Sequence, residues 1–489
     1  MKLLKHKFIE FSEVLLSELG QEMRFDSEYW EPAYLRNEDL LKSKNHMQTK
    51  QLAQNPQYGI SIAMNETGNG YSILKMDNIM DVLAEDKDAK YADISPKLFK
   101  QFQLNKFDVL FNRVNSDEFV GRTGIYLLDG EHTFASYLVK VDTQEPHTNC
   151  YLTAFLNCKY GKTSLQRVKR RAVNQANINA KELSNLTIPL PSETFQKAIQ
   201  ELIVEAQKQK VLSEKLYKEA EDILLEELGL LNWKPKITSF NYQDVKFEVE
   251  NSVNTILASE IFSEDRLDSE YWHPKYDEFF SLLQKNTKIK FHTLGSLVSW
   301  IKGVEIGGKE YLEEGDYPFI RVSNITSKGF DFVSAKYVKP ETFDNLEKYQ
   351  VKKGEILLSK DGTAGIAYYI REDIKAINCS GILRLINSSK LPNEYIELVL
   401  NSPIVQIQIE RKMSGALIQH LNVSESMKFI IPEISSVNKV SKKVETAFNA
   451  QAKNKMLLET AKQAVDIFIE TNEKKALTYI TISTLNKCG

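Results

Sequence analysis

At 489 residues, with 42% apolar, 26% charged and 10% aromatic residues, the chain is too long for one ordinary core and has the composition of a soluble globular protein of roughly two to four domains. A net charge of −3 excludes a uniformly basic, histone-like binder, although the placement of charge and not its total decides nucleic-acid binding. No apolar run approaches the ~20 residues of a membrane span, and the opening stretch is broken by Lys5, Lys7, Glu10 and Glu13, which does not suit a signal peptide. The four cysteines (Cys150, Cys158, Cys379 and Cys488) lack C-x-x-C spacing and read as free thiols in a reducing cytoplasm.

In chain order, the first distinctive phrase is FDSEYWEPAY, Phe25 to Tyr34. Short β-type runs follow: YSILKMDNI (71–79), KFDVLFNR (106–113), GRTGIYLL (121–128) and SYLVKV (136–141). Between Lys159 and Asn185 stand seven basic residues (Lys159, Lys162, Arg167, Lys169, Arg170, Arg171 and Lys181) against Glu182, a local balance of +6. ANINAKELSNLTIPLP (176–191) then leads into a long polar segment.

The chain next repeats itself. LDSEYWHPKY (267–276) matches the opening phrase at seven of ten positions, 242 residues on. YPFIRVSNI (317–325), KGEILLSK (353–360), TAGIAYYI (363–370) and QHLNVSESMKFIIPEI (419–434) answer the other first-half anchors in the same order and at nearly the same offset. An offset near 243 residues is a duplicated domain, not a solenoid. NEYIELVLNSPIVQIQIERK (393–412) reads as helical, so each copy is α+β.

Each copy ends in a helix with a 3.5-residue period. In the first the stripe is Phe195, Ile199, Leu202, Ala206, Gln209, Ser213, Leu216, Ala220 and Ile223. In the second it is Val437, Val440, Val444, Ala447, Gln451, Asn454, Leu458, Ala461, Val465 and Phe468. Both follow a proline, Ser192 and Ser435 suit their starts, and Gly229 suits the stop of the first. Each stripe is polar at its middle, so antiparallel packing would bring Gln209 and Ser213 to Gln451 and Asn454. The expected architecture is two similar modules in tandem, each followed by a long helix, the two helices forming an antiparallel coiled coil and a rod of roughly 50 Å. The boundaries expected are 1–191 for the first module with its leader and 192–231 for the first helix. The second module with its leader is expected at 232–433, the second helix at 434–472 and a tail at 473–489.

Chemistry is sparse. Seven histidines show no H-E-x-x-H or other metal spacing, and there is no P-loop or G-x-S-x-G. NPQY (Asn55–Tyr58) resembles the target-amine loop of amino-methyltransferases, but no glycine-rich cofactor loop precedes it and the second copy has no counterpart. Asp26, Glu28, Asp268 and Glu270 read as a solvated acidic edge beside the packed anchors Trp30 and Trp272.

What remains suits nucleic acid. Arginine and lysine match phosphates and guanine edges, and asparagine and glutamine match adenine edges. The candidates in the first copy are Lys75, Asn78, Arg113, Asn115, Arg122, Arg167, Lys169, Arg170, Arg171 and Gln175. In the second they are Lys302, Arg321, Asn324, Lys360, Thr363, Lys412 and Gln419.

The duplicated halves, YPFIRVSNITSKGF followed by GEILLSKDGTAGIAYYI, MSGALIQHLNVSESMKFIIPEIS and the helix closing each half resemble the specificity subunit of type I restriction–modification systems. The first half departs from the pattern at VNSDEFVGRTGI and RRAVNQANIN, and the D-S-E-Y-W leaders exceed it. The resemblance implies two target recognition domains reading a bipartite double-stranded DNA sequence, with the helices setting the spacer. It implies no catalytic residue, metal or cofactor in this chain. S-adenosylmethionine would bind the partner modification (methyltransferase) subunits, two of them, joined by a restriction/translocase subunit. The competing reading is a DNA adenine methyltransferase built on Asn55–Tyr58.

Overall fold

The computed structural model describes residues 24–53, 56–88, 90–171, 175–234, 271–413 and 420–485. The chain divides into two compact units, residues 1–211 with 451–489 and residues 212–450. Each holds one module together with part of both long helices.

In the first module the backbone enters and leaves on one ladder, His46–Gln48 antiparallel to Thr187–Pro189. Between these ends lies a six-stranded sheet in the order Gln57–Tyr58, Leu138–Val141, Val109–Asn112, Thr123–Ile125, Leu83–Ala84, Ile79–Met80. A three-stranded sheet stands beside it, with His132–Phe134 parallel to Tyr71–Leu74 and Lys90–Ala92 on the other side. The second module repeats the plan. Its closing ladder pairs Lys290–Thr293 with Ile430–Glu433. Its main sheet runs Val298–Lys302, Ile382–Asn387, Ile356–Ser359, Ala367–Tyr369, and Pro318–Ile320 lies parallel to Ile377–Asn378.

The middle strands explain the three successive apolar residues, VLF and ILL, inside KFDVLFNR and KGEILLSK. Val109 and Phe111 face the helix Pro146–Asn157, packing with Tyr151 and Phe155, while Leu110 faces Leu74 and Phe134. Likewise Ile356 and Leu358 join Tyr395 and Val399, while Leu357 joins Ile320 and Ile382. A strand covered on both faces has no polar side to show. Each helix pair, Pro146–Asn157 with Lys159–Val168 and Asn393–Asn401 with Pro403–Lys412, is tied down by one tyrosine. Tyr151 donates to the Pro189 carbonyl oxygen at 2.5 Å and Tyr395 to that of Pro432 at 2.6 Å. Gly59 and Gly303 hold equivalent places; a Cβ there would lie 2.3 Å from the Ala135 oxygen and 2.1 Å from the Cys379 oxygen.

The long helices span Glu193–Glu227 and Val437–Glu470. Within the first unit they run antiparallel: Phe195 meets Phe468 at 5.6 Å between ring centroids, and Asn454 donates to the Ala206 carbonyl oxygen at 2.8 Å. Within the second unit Tyr217 meets Phe448 at 6.2 Å, and Ser435 donates its N–H and hydroxyl to Glu227, both at 2.8 Å. The antiparallel course is the expected one, with two differences. Gln209 bonds Glu205 of its own helix while Asn454 bonds the Ala206 carbonyl oxygen, and Leu224 is buried beside Ala220 where Ile223, expected in the seam, is only partly buried. The first helix ends as its glycine foretells: Gly229 has φ +71°, and the Leu230 N–H reaches the Leu225 carbonyl oxygen at 2.7 Å. The expected C-terminal tail holds a helix, Glu473–Leu485, whose Glu473 accepts from the Ser192 N–H and hydroxyl at 2.6 and 2.7 Å. No helix among the described residues is long and apolar enough to cross a membrane.

Candidate nucleic-acid interface

In each module a short turn connects the small sheet to a two-stranded hairpin, and an asparagine closes it. Asn78 Oδ1 accepts from the Lys75 N–H at 2.8 Å and its Nδ2 donates to the Lys87 oxygen at 2.7 Å. Asn324 does the same with the Arg321 N–H at 3.1 Å and the Asp331 oxygen at 3.0 Å. Both side chains are buried. The reading of Asn78 and Asn324 as DNA contacts is therefore corrected: their amides are engaged within the protein, and the repeated D-N-I and S-N-I phrases are turn chemistry. Asn324→Ala is expected to destabilise the second unit by about 1–3 kcal/mol, seen as a lower urea midpoint, because two backbone groups lose their partners.

The other first-module candidates gather around one end of the strand Val109–Asn112. Asn112 donates to the Met76 oxygen at 3.4 Å, which brings the Lys75–Asn78 turn to it. Arg113 donates to the Ser136 oxygen at 3.1 Å and lies 5.0 Å over the Tyr58 ring. Arg122 lies 4.0 Å over Phe119. Asn115 accepts from the Ser116 N–H, and its strand pairs with Ala176–Asn177, so exposed Gln175 arrives next to it.

The basic run meets acids that the sequence keeps apart. Lys169 is buried and donates to the Asp117 oxygen and carboxylate, both at 3.0 Å, so its reading as a phosphate contact is corrected too. Arg170 pairs with Glu182 at 2.7 Å, and Arg171 with Glu28 at 2.5 Å and Asp117 at 2.8 Å. Arg167 turns toward the leader, donating to the Tyr29 carbonyl oxygen at 3.2 Å. Arg24 joins Asp26 at 2.6 Å. That bond chiefly holds the Asp26 carboxyl below its usual pKa. Burial opposes charge on Asp117, but Lys169 and Arg171 outweigh it and lower that pKa as well. Arg24, Asp26, Glu28, Glu31, Tyr34, Gln166, Arg167, Lys169 and Arg171 line one polar pocket. The +6 balance read along the sequence is thus largely compensated in space.

In the second module the corresponding end is built by Arg321, Lys360 and the turn after it. Lys360 donates to Asp361 at 2.6 Å, and Asp361 accepts from His420 at 2.9 Å. Burial would raise the Asp361 pKa, but Lys360 and His420 prevail and lower it. The Lys360 carbonyl oxygen accepts from the Leu421 N–H, which brings the returning chain across the turn. Thr363 is exposed, and Lys302 is exposed at the end of the edge strand. Lys412 lies apart, against Tyr271 and Glu425, each 2.9 Å away. Gln419 lies outside the described residues.

Sequence reading missed Asp117 and Glu28 as partners of the basic run, and Tyr58 and Tyr137 as exposed aromatics near Arg113. No local signal marks the acids, because each comes from a different element. Tyr58 stood in plain view within NPQY, where it serves Arg113 and accepts from the Ala180 N–H at 3.3 Å; Asn55 lies outside the described residues.

Two copies of one α+β module, each with a loop-built polar end and each joined to a long helix, define a tandem recognition scaffold. The chain belongs to the family described as the type I restriction modification DNA specificity domain, whose model matches residues 30–222 and 286–455. A putative type I restriction enzyme specificity subunit, MjaX, of Methanocaldococcus jannaschii is 29% identical over 150 residues, 30% of this chain. The match spans 35% of that relative's length. Among solved structures, the S subunit of a type I restriction-modification system from M. genitalium is similar at TM-score 0.38 and 13% identity, over 88% of this chain and 95% of that one. The HsdS subunit from Thermoanaerobacter tengcongensis is similar at TM-score 0.27 and 11% identity, over 90% and 96%. At these scores the family match, not the structural likeness, identifies the chain. The matched region includes Asn55–Tyr58, so the methyltransferase reading has no support.

Proposed function

We propose that this chain is a sequence-specific DNA-binding subunit that reads a bipartite target, one half-site per module, and directs methylation and restriction carried out by other subunits. The observation that carries this reading is a shared frame with different ends. The strand order, turn asparagine and helix ties recur, while Arg113, Asn115 and Arg122 in one copy are replaced by Lys360, Asp361 and Thr363 in the corresponding region of the other. One scaffold with two surfaces is what two different half-sites require, since base edges are read by side chains and position is set by the frame. The paired helices then set the unspecified spacer. The partners are double-stranded DNA, two modification subunits that hold S-adenosylmethionine, and a restriction/translocase subunit.

The test is modular. Replacing residues 35–190 by another recognition domain, in complex with the modification subunits, is expected to change one half-site of the methylated sequence and leave the other intact. A change in both half-sites, or methyl transfer by this chain alone, overturns the reading.

A further inference from the structure

The phrase written twice in the sequence makes the same contact twice. Tyr29 and Trp30 form an edge-to-face corner, 5.0 Å between centroids at 79°; Tyr271 and Trp272 form another, 4.9 Å at 79°. Into each corner comes an arginine from the last turn of the module's second helix. Arg167 stands 4.4 Å from the Tyr29 ring and 5.5 Å from Trp30; Arg411 stands 4.7 Å from Tyr271 and 6.0 Å from Trp272. Each arginine also donates its Nε–H to the carbonyl oxygen of the same tyrosine, 3.2 Å in both copies. The helices that carry them, KYGKTSLQRV and PIVQIQIERK, otherwise share little.

The place of the clamp matters more than its strength. It grips the helix end from which the chain departs, close to the polar end of the module. In the first copy that departing segment holds Arg170 and Arg171, is tied to the leader through Arg171 and Glu28, and ends by pairing Ala176–Asn177 with Val114–Asn115. In the second copy Lys412 reaches the Tyr271 hydroxyl at 2.9 Å, and the chain returns at His420, opposite Asp361. A guanidinium that stacks and hydrogen-bonds at once is held in one orientation. Its helix end is held with it.

We propose that each Tyr–Trp leader is a positioning element for DNA readout by its own module: Trp30, through Arg167, governs one half-site, and Trp272, through Arg411, governs the other. The inference rests on the proposed DNA-reading function.

The experiment uses the full chain with its modification subunits and measures binding to duplexes carrying single base-pair changes in either half-site. The parent protein must first discriminate in both. If it discriminates in neither, the DNA-reading function is overturned and this proposal falls with it. Given that discrimination, Trp30→Ala is expected to lower it about tenfold in one half-site and to leave the other within about twofold. Trp272→Ala is expected to give the converse pattern, and Trp30→Phe to restore most of the loss. A merely structural role would lower the melting temperature without separating the half-sites. Trp30→Ala that stays folded and keeps both discriminations, or loses both equally, overturns the proposal. If Trp30→Ala does not fold, Arg167→Lys serves, because it keeps the charge but loses the planar stack and the Nε–H. Unchanged discrimination in that variant is equally decisive against the proposal.

Discussion

Arg384→Ala is expected to lower the stability of the second unit by about 3–5 kcal/mol, the largest single effect anticipated in this chain. Arg384 is 2% exposed in the middle of the main sheet. Its Nε and Nη2 donate to Glu355 at 2.8 and 2.6 Å, and its Nη1 donates to the Lys348 carbonyl oxygen at 2.7 Å. Truncation leaves the buried Glu355 carboxylate without its counter-charge and a carbonyl without its donor. The cost is that of an orphaned charge, not the net worth of the pair. Arg384→Met with Glu355→Leu is therefore expected to recover most of the loss. Urea unfolding followed by tryptophan fluorescence in a Trp30→Phe background checks this, since Trp233, Trp272 and Trp300 all lie in the second unit. A loss below about 1 kcal/mol refutes the assignment. The first unit has a weaker counterpart, Lys140 and Asp108 at 3.5 Å, with the lysine side chain 17% exposed. Burial raises the Asp108 carboxyl above its usual 3.8 despite Lys140. Its folded form favours the proton, so this carboxyl removes stability as pH rises from 3.8 through its folded value, the reverse of a depressed carboxylate.

The second large effect concerns DNA. Arg170→Ala with Arg171→Ala is expected to flatten the salt dependence of binding by about two units of slope, roughly tenfold in affinity between 50 and 200 mM salt. Of the four basic residues at 167–171, these two have the side chains that remain open, 46% and 45% exposed, against 1% for Lys169 and 12% for Arg167. The ion pairs of Arg171 with Glu28 and Asp117, exposed on both sides, are no obstacle. Exposed pairs are worth about 0–1 kcal/mol, and a DNA phosphate can displace them. Burial works against the Arg171 charge, but Asp117 and Glu28 outweigh it and raise the guanidinium pKa. Removing those acids with Glu28→Gln and Asp117→Asn is expected to act in the opposite direction, strengthening non-specific binding at low salt. An unchanged slope in the double arginine variant takes the cluster out of the interface.

Much of this was legible without coordinates because a duplicated sequence measures itself. Five phrases in one order at one offset identify two modules, and a 3.5-residue stripe with a polar middle identifies antiparallel helices. VLF and ILL, apolar at three successive steps, read as short β runs, and the structure covers both faces of their strands. The candidate interface was legible only in part. Asn78 and Asn324 were read as DNA contacts because asparagine suits adenine. Their real partners, the Lys75 and Arg321 N–H groups, lie three residues back in a turn whose closure depends on backbone geometry. Lys169 was read with its neighbours, yet it points inward to Asp117 while Arg171 stays open.

The repeated leader shows the division best. The sequence alone determined that FDSEYWEPAY and LDSEYWHPKY have one job in both copies, because periodicity, apolar patterning and repetition are written locally along the chain. It placed that job in packing, with Trp30 and Trp272 as anchors. Only the tertiary structure decided that the packing partner is Arg167 or Arg411, and that Glu28 answers Arg171. Those pairs join residues about 140 positions apart. Which charges neutralise each other over such a separation is set by how the sheets and helices bring the chain back on itself, and no local pattern encodes it.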